Sequence, residues 1–180
     1  MAMVKDPRIT PRIEEIVLMG GGYFEMGNIT PAAEFNIYVD PDAADVVFRS
    51  GVPIVQLPLD VSHMILSTPE RLDRIRAIGN RTGTAVYEML SFSERFDLQK
   101  YGSDGAPLHD PCVMAYMLQP DLFQGRLINV MIETASELTV GMTVADYWGV
   151  TNRPRNVKFL RSGNADGFYA LLTERLARLP

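Results

Sequence analysis

Several things are scarce in this chain of 180 residues, and each scarcity excludes something. A single cysteine, Cys112, rules out an internal disulfide framework and any all-cysteine metal site within one chain. No apolar run reaches the 18 or so residues of a membrane span, and the opening Met-Ala-Met-Val-Lys-Asp-Pro lacks the charged-then-apolar layout of a signal peptide. Positive charge is short: 17 Lys and Arg face 22 Asp and Glu, net −5, with no basic run, which argues against a sequence-independent grip on nucleic acid. There are only two histidines, His63 and His109. What remains, 47% hydrophobic and 22% charged, is the composition of a globular domain. The expectation is a cytoplasmic α/β protein with no membrane and no nucleic-acid partner, folding as a single domain over residues 1–180.

Strand-like and helix-like segments alternate. Glu15 to Met19 reads as a short buried strand, Asn36 to Val39 as a brief extended stretch, and Val52 to Val61 as a strand that Pro58 bends or ends. Three helices open by the pairing of a small polar cap with proline: Asp40-Pro41, Thr68-Pro69 and Asp110-Pro111. A further helix is expected from Thr84 to about Phe96, with a turn-rich loop at Tyr101 to Ala106. The last third alternates like strands, with a hairpin around Ser136-Glu137 and a terminal helix from Ala165 to Leu179. Alternation followed by a hairpin predicts a mostly parallel, Rossmann-like sheet with an antiparallel addition.

The stretch "GGGYFEMGNITPAAEFN", residues 20–36, follows the first strand. Glu25 stands where G-x-G-x-x-G needs glycine, and Asn28 stands where a P-loop needs lysine, so both phosphate patterns fail. A loop at the carboxyl end of an α/β strand is nonetheless a place for ligands. Asn28, Glu34 and Asn36 offer donors and acceptors suited to hydroxyl groups, Phe35 offers a flat face, and Met19 sits at the loop's mouth. A sugar would be held this way; equally, these side chains could satisfy their own loop's backbone. Asp110 is either the N-cap of its helix or a ligand for a hard cation, with His109 beside it as an acid. His63 reads as a core histidine and Cys112 as a small buried hydrophobe.

Taken together, "VLMGGG", "GNITPAAEFNIYVDPDAA", "PLDVSH" and "GAPLHDPCVMAY" resemble the inosine–uridine-preferring nucleoside hydrolase family, in order and over essentially the whole chain. The resemblance implies hydrolysis of the N-glycosidic bond of ribonucleosides with a calcium ion that activates water. It implies that Asn28, Glu34 and Asn36 bond the ribose hydroxyls, that Phe35 and Met19 line the sugar, that Asp110 ligates calcium and that His109 protonates the departing base. Purine and pyrimidine salvage and homo-oligomers follow from the same resemblance. The family's aspartate cluster, D-x-D-x-G-x-D-D, has no counterpart here. The chain is therefore expected to correspond to the C-terminal part of such an enzyme, with only Asp110 of the calcium shell. It is expected to be nearly inactive alone and to associate through an exposed sheet face. Two rival expectations are an inactive, ribose-binding relic and a generic nucleotide-binding module.

Overall fold

Proline and cap chemistry set most helix starts in this computed structural model, which describes residues 2–101 and 104–180, with side chains described outside 93–101. In chain order the elements are α1 (Ala2–Lys5), β1 (Ile16–Met19), α2 (Phe35–Tyr38), α3 (Pro41–Phe48), β2 (Ile54–Leu57), α4 (Leu59–Ser62) and β3 (Leu66–Ser67). There follow α5 (Pro69–Arg76), α6 (Arg81–Tyr101), β4 (Ala106–Pro107), α7 (Pro111–Leu118), β5 (Phe123–Ile132), β6 (Thr143–Asp146), β7 (Val157–Gly163) and α8 (Ala165–Ala177). The chain divides into two compact units, one of Met1–Val61 with Gln124–Ser162, the other of Ser62–Phe123 with Gly163–Pro180.

The first unit is built on a five-stranded sheet in the order β1-β2-β7-β5-β6. β1 runs parallel to β2 with Ile16 opposite Ile54 and Met19 opposite Leu57, and β2 runs parallel to β7. β5 and β6 are antiparallel, Asn129 opposite Asp146, and the chain reverses between them where the amide of Thr139 donates to the carbonyl of Ser136. The mostly parallel sheet with an antiparallel hairpin at Ser136 is thus as the alternation implied. Its core gathers Ile37, Phe48, Ile54, Val130, Val157 and Phe159. β2 is buried along its whole length, as a central parallel strand should be, yet carries one polar residue, Gln56.

Two boundaries in this unit differ from expectation. Residues 35–38 form a helical turn rather than an extended stretch, because the Glu34 carboxylate accepts from the amide of Asn36 and caps the turn. The strand expected over 52–61 is confined to Ile54–Leu57; Pro58, with no amide to donate, ends it and α4 follows at once. Asp40 caps α3 as predicted, its carboxylate accepting from the amide of Ala43 at 2.9 Å.

In the second unit α5 stops before Gly79, whose φ of +75° closes the turn. α6 starts at Arg81, earlier than Thr84, because Asn80 accepts from the amide of Gly83 and so nucleates the turn that contains that glycine. Positions 102–103 of the expected 101–106 loop lie outside the described residues. Asn164 caps α8 through the amide of Gly167. Ile65, Ile75, Cys112, Phe168 and Tyr169 are buried within this unit's core, and β3 pairs antiparallel with β4.

Candidate functional site

In the first unit, β1 ends at the glycine loop, and the glycines are there for steric reasons. Gly21 has φ +72°, and a Cβ on it would meet the Thr143 side chain at 2.5 Å and Gln56 Nε2 at 2.6 Å. Gly27 is packed so closely that a Cβ would lie 2.2 Å from the carbonyl oxygen of Thr30. Backbone and polar side chains meet here with no room for anything larger.

Glu34 is only 3% exposed. Its Oε2 accepts from the amide of Gly21 at 2.9 Å and from that of Asn36 at 3.0 Å, while Oε1 shares the Asn36 amide at 3.0 Å. A carboxylate has about four acceptor positions, so one remains beyond these three contacts. Asn36, exposed, donates from Nδ2 to the carbonyl of Met19 at 3.2 Å and to its sulfur at 3.4 Å. Asn28 Oδ1 accepts from the amide of Phe35 at 2.8 Å. Phe35 is half exposed and Met19 half buried. Met19, Asn28, Glu34, Phe35 and Asn36, predicted from sequence as one group, thus fall into two hydrogen-bonded sets, Met19–Asn36–Glu34 and Asn28–Phe35. The polar side chains of the loop satisfy its backbone, and the exposed Asn36 carboxamide stands at the carboxyl end of β1.

Three residues that shape this loop were not singled out from sequence. Asp60 is 5% exposed and takes the amides of Tyr23 at 2.9 Å, Phe24 at 2.8 Å and Glu25 at 3.3 Å. Gln56 Nε2 donates to the carbonyl of Gly20 at 2.9 Å. The Thr143 hydroxyl accepts from the amide of Gly22 at 3.0 Å and donates to its carbonyl at 2.6 Å. Two of the three had a signal. Gln56 interrupts an otherwise apolar strand, and Asp60 follows the carboxyl end of that strand. Thr143, 121 residues from Gly22, had none.

In the second unit, His109 Nδ1 lies 2.8 Å from the hydroxyl of Ser62, a fully buried side chain, which fixes the imidazole's rotation. The His63 ring stands 5.8 Å away, centroid to centroid, and is half buried rather than part of the core. Asp110 departs from one of its two expectations: its backbone is already helical at φ −62° and ψ −37°, and its carboxylate makes no capping bond to α7. The carboxylate is exposed. Cys112 is a buried hydrophobe as expected, its thiol donating to the carbonyl of Leu108 at 3.0 Å. Burial pushes that thiol's pKa up to about 12, with the negative charge of Asp110 adding to the shift.

The described residues do not by themselves fit a calcium ion. No three His, Cys, Asp or Glu side chains among them gather as a metal cluster, and a calcium ion takes about six to eight oxygens. Asp110 is one carboxylate of such a shell at most. No helix among the described residues is long and apolar enough to cross a membrane.

Comparison with known proteins bears on the chain's family and fold. A model of the inosine-uridine preferring nucleoside hydrolases matches residues 1–170. A pyrimidine-specific ribonucleoside hydrolase of Shewanella oneidensis is 50% identical over 167 residues, 92% of this chain and 52% of that protein. An uncharacterized protein of Schizosaccharomyces pombe is 50% identical over all 180 residues, 58% of its length. A solved purine-preferring ribonucleoside hydrolase from Gardnerella vaginalis superposes with a TM-score of 0.87 at 30% identity, over 99% of this chain and 56% of that one. The chain thus spans a little over half the length of the relatives it matches. With that extent of match, the chain belongs to the inosine-uridine preferring nucleoside hydrolase family.

Proposed function

We propose that this chain binds ribonucleosides by their ribose and carries the sugar-holding loop and leaving-group acid of an N-glycosidic hydrolase. The observation that carries the reading is the Glu34–Asn36 turn. A buried carboxylate is locked by the Gly21 and Asn36 amides at the carboxyl end of β1, and a carboxamide beside it is oriented by Met19. Cleavage of a glycosidic bond passes through an oxocarbenium-like state, in which the ring must be held and the leaving group neutralised. The remaining acceptor positions of Glu34 and Asn36 Oδ1 take hydroxyl protons of the ribose. Asn28 positions Phe35 through its amide, and Phe35 and Met19 cover the apolar side of the ring. His109, fixed at Nδ1 by Ser62, donates a proton to the departing base as a general acid.

Asp110 is read as a contributor to the calcium site that the family resemblance implies. Because one carboxylate does not hold that ion, no step of the chemistry is assigned through it. Hydrolysis by this chain alone is accordingly slow. Pyrimidine ribonucleosides are the preferred substrate class, supported by the 50% identical relative named as pyrimidine-specific. Association with further copies of the chain and residence in the cytoplasm belong to the same proposal.

The test combines calorimetry with a ribose-release assay, using uridine and inosine with calcium and a chelator control. The expected outcome is binding of uridine that Asn36→Ala weakens about tenfold, roughly 1.4 kcal/mol, with ribose release close to background. Absence of binding, or binding indifferent to Asn36→Ala, would refute the sugar-loop reading. Fast calcium-dependent release that falls with His109→Ala would refute the claim that a single carboxylate limits the chemistry.

A further inference from the structure

A second polar concavity lies in the first unit, lined by none of the glycine loop's residues although its Tyr147 packs on Tyr23 and Phe24. It is a cleft of about 330 Å³, within the size range of small-molecule sites, lined by Arg126, Asn129, Asp146, Trp148, Arg153 and Arg155 among others. Its charge is unusual for an acidic chain. Three exposed arginines gather there, and among the described residues none of them is within ion-pair distance of a carboxylate. Asp146 does not neutralise them; its oxygens accept from the amides of Val150 and Thr151 and from the Thr151 hydroxyl. Arg126 is held in place, its guanidinium 3.6 Å from the centroid of the Tyr147 ring and donating to the Tyr147 carbonyl. Guanidinium forks of this kind match phosphate oxygens in shape and charge.

Two further observations favour a built site over a merely solvated basic patch. Asn129 is 8% exposed; its Nδ2 donates to the carbonyl of Pro154 at 2.7 Å, but its buried Oδ1 has no hydrogen-bond partner. That oxygen is sealed from the cleft, whereas the Nδ2 bond holds in place the backbone that carries Arg153 and Arg155. Trp148, the chain's only tryptophan, is 69% exposed beside Arg126 and offers an aromatic face to the same cleft.

We propose that this cleft binds a nucleotide. The phosphate is held by Arg126, Arg153 and Arg155, and the base stacks on Trp148. A bare phosphate would leave the aromatic face unused. A nucleic-acid strand is disfavoured by the chain's net charge of −5. None of these residues belongs to the sugar loop, so the proposal stands or falls separately from ribonucleoside binding.

The single tryptophan makes the test direct. Tryptophan fluorescence of the full chain is titrated with uridine monophosphate, adenosine monophosphate, uridine, inorganic phosphate and a short single-stranded oligonucleotide. Both monophosphates are expected to quench Trp148 saturably, and uridine and phosphate to bind at least about tenfold more weakly. The double variant Arg153→Ala/Arg155→Ala, at two exposed positions, should weaken the monophosphates about tenfold or more while leaving the circular dichroism spectrum unchanged. The proposal is overturned by any of several results: no saturable quench, phosphate or uridine binding as tightly as the monophosphates, indifference to the double variant, or tighter binding of the oligonucleotide.

Discussion

Replacing Asp60 by asparagine tests whether one buried carboxylate organises the loop beside the candidate site. Asp60 Oδ1 serves the amides of Phe24 and Glu25, and Oδ2 serves that of Tyr23. An asparagine can keep one oxygen. Its best placement retains the two amides on Oδ1 and turns the new NH2 toward the Tyr23 amide, so two donors face each other. A hydrogen bond to a charged group contributes about 1.5–3 kcal/mol, and the other two bonds weaken when the charge is lost. Tyr23 is half buried and part of its amide's loss is recovered by water. The net cost is therefore about 2–3 kcal/mol, or roughly 4–12 °C in Tm for a chain of this length. Urea unfolding measures it, with Asp6→Asn as the internal control, since among the described residues Asp6 pairs with the exposed Arg8 at the surface and should change stability little. An Asp60→Asn variant within about 0.5 kcal/mol of the parent would show that the three amides find other partners, and would refute the reasoning.

Other outcomes follow from the same geometry. Gly21→Ala should destabilise by about 1–3 kcal/mol or more, from the positive φ and the contact with Thr143, measured by thermal unfolding; a neutral result contradicts the close packing. Cys112, whose thiol is pushed up to about 12, should resist a disulfide reagent at pH 8 in the folded chain and react at once in denaturant. Fast labelling without denaturant would contradict its burial. Asp146 has its carboxyl pKa lowered, chiefly by the Thr151 hydroxyl and then by the Thr151 amide. A depressed carboxyl contributes stability above its unfolded value, about 3.9, that is lost as pH falls through the lower folded value. Asp146→Asn should remove that part of the acid transition and leave stability above pH 6 independent of pH in this respect, as acid titration by circular dichroism would show.

Much of the parallel sheet was legible because its determinants are local. The β-branched run of β2, the Asp40-Pro41 cap and the turn at Ser136 each lie within a few residues of the element they specify. The misread elements share a different cause. Residues 36–39 look extended by composition, but Glu34 caps a turn there only because the same carboxylate is anchored by Gly21, 13 positions earlier. The segment 58–61 continues the apolar run of β2, and the missing amide of Pro58 overrides that pattern. At the candidate site, Glu34, Asn36 and Met19 could be grouped because they flank one loop. Gln56, Asp60 and Thr143 reach the loop through the fold, and no spacing along the chain announces a bond between Thr143 and Gly22.

The central claim, that the loop from Gly20 to Asn36 holds ribose, is tested most directly by amide NMR of the chain titrated with uridine and, separately, with free ribose. The account predicts saturable shifts from both ligands centred on the amides of Gly21 and Asn36 and on the side-chain amide of Asn36, with smaller ones at Phe35. Shifts confined to other parts of the chain, or a side-chain signal of Asn36 that does not move at saturation, would contradict it.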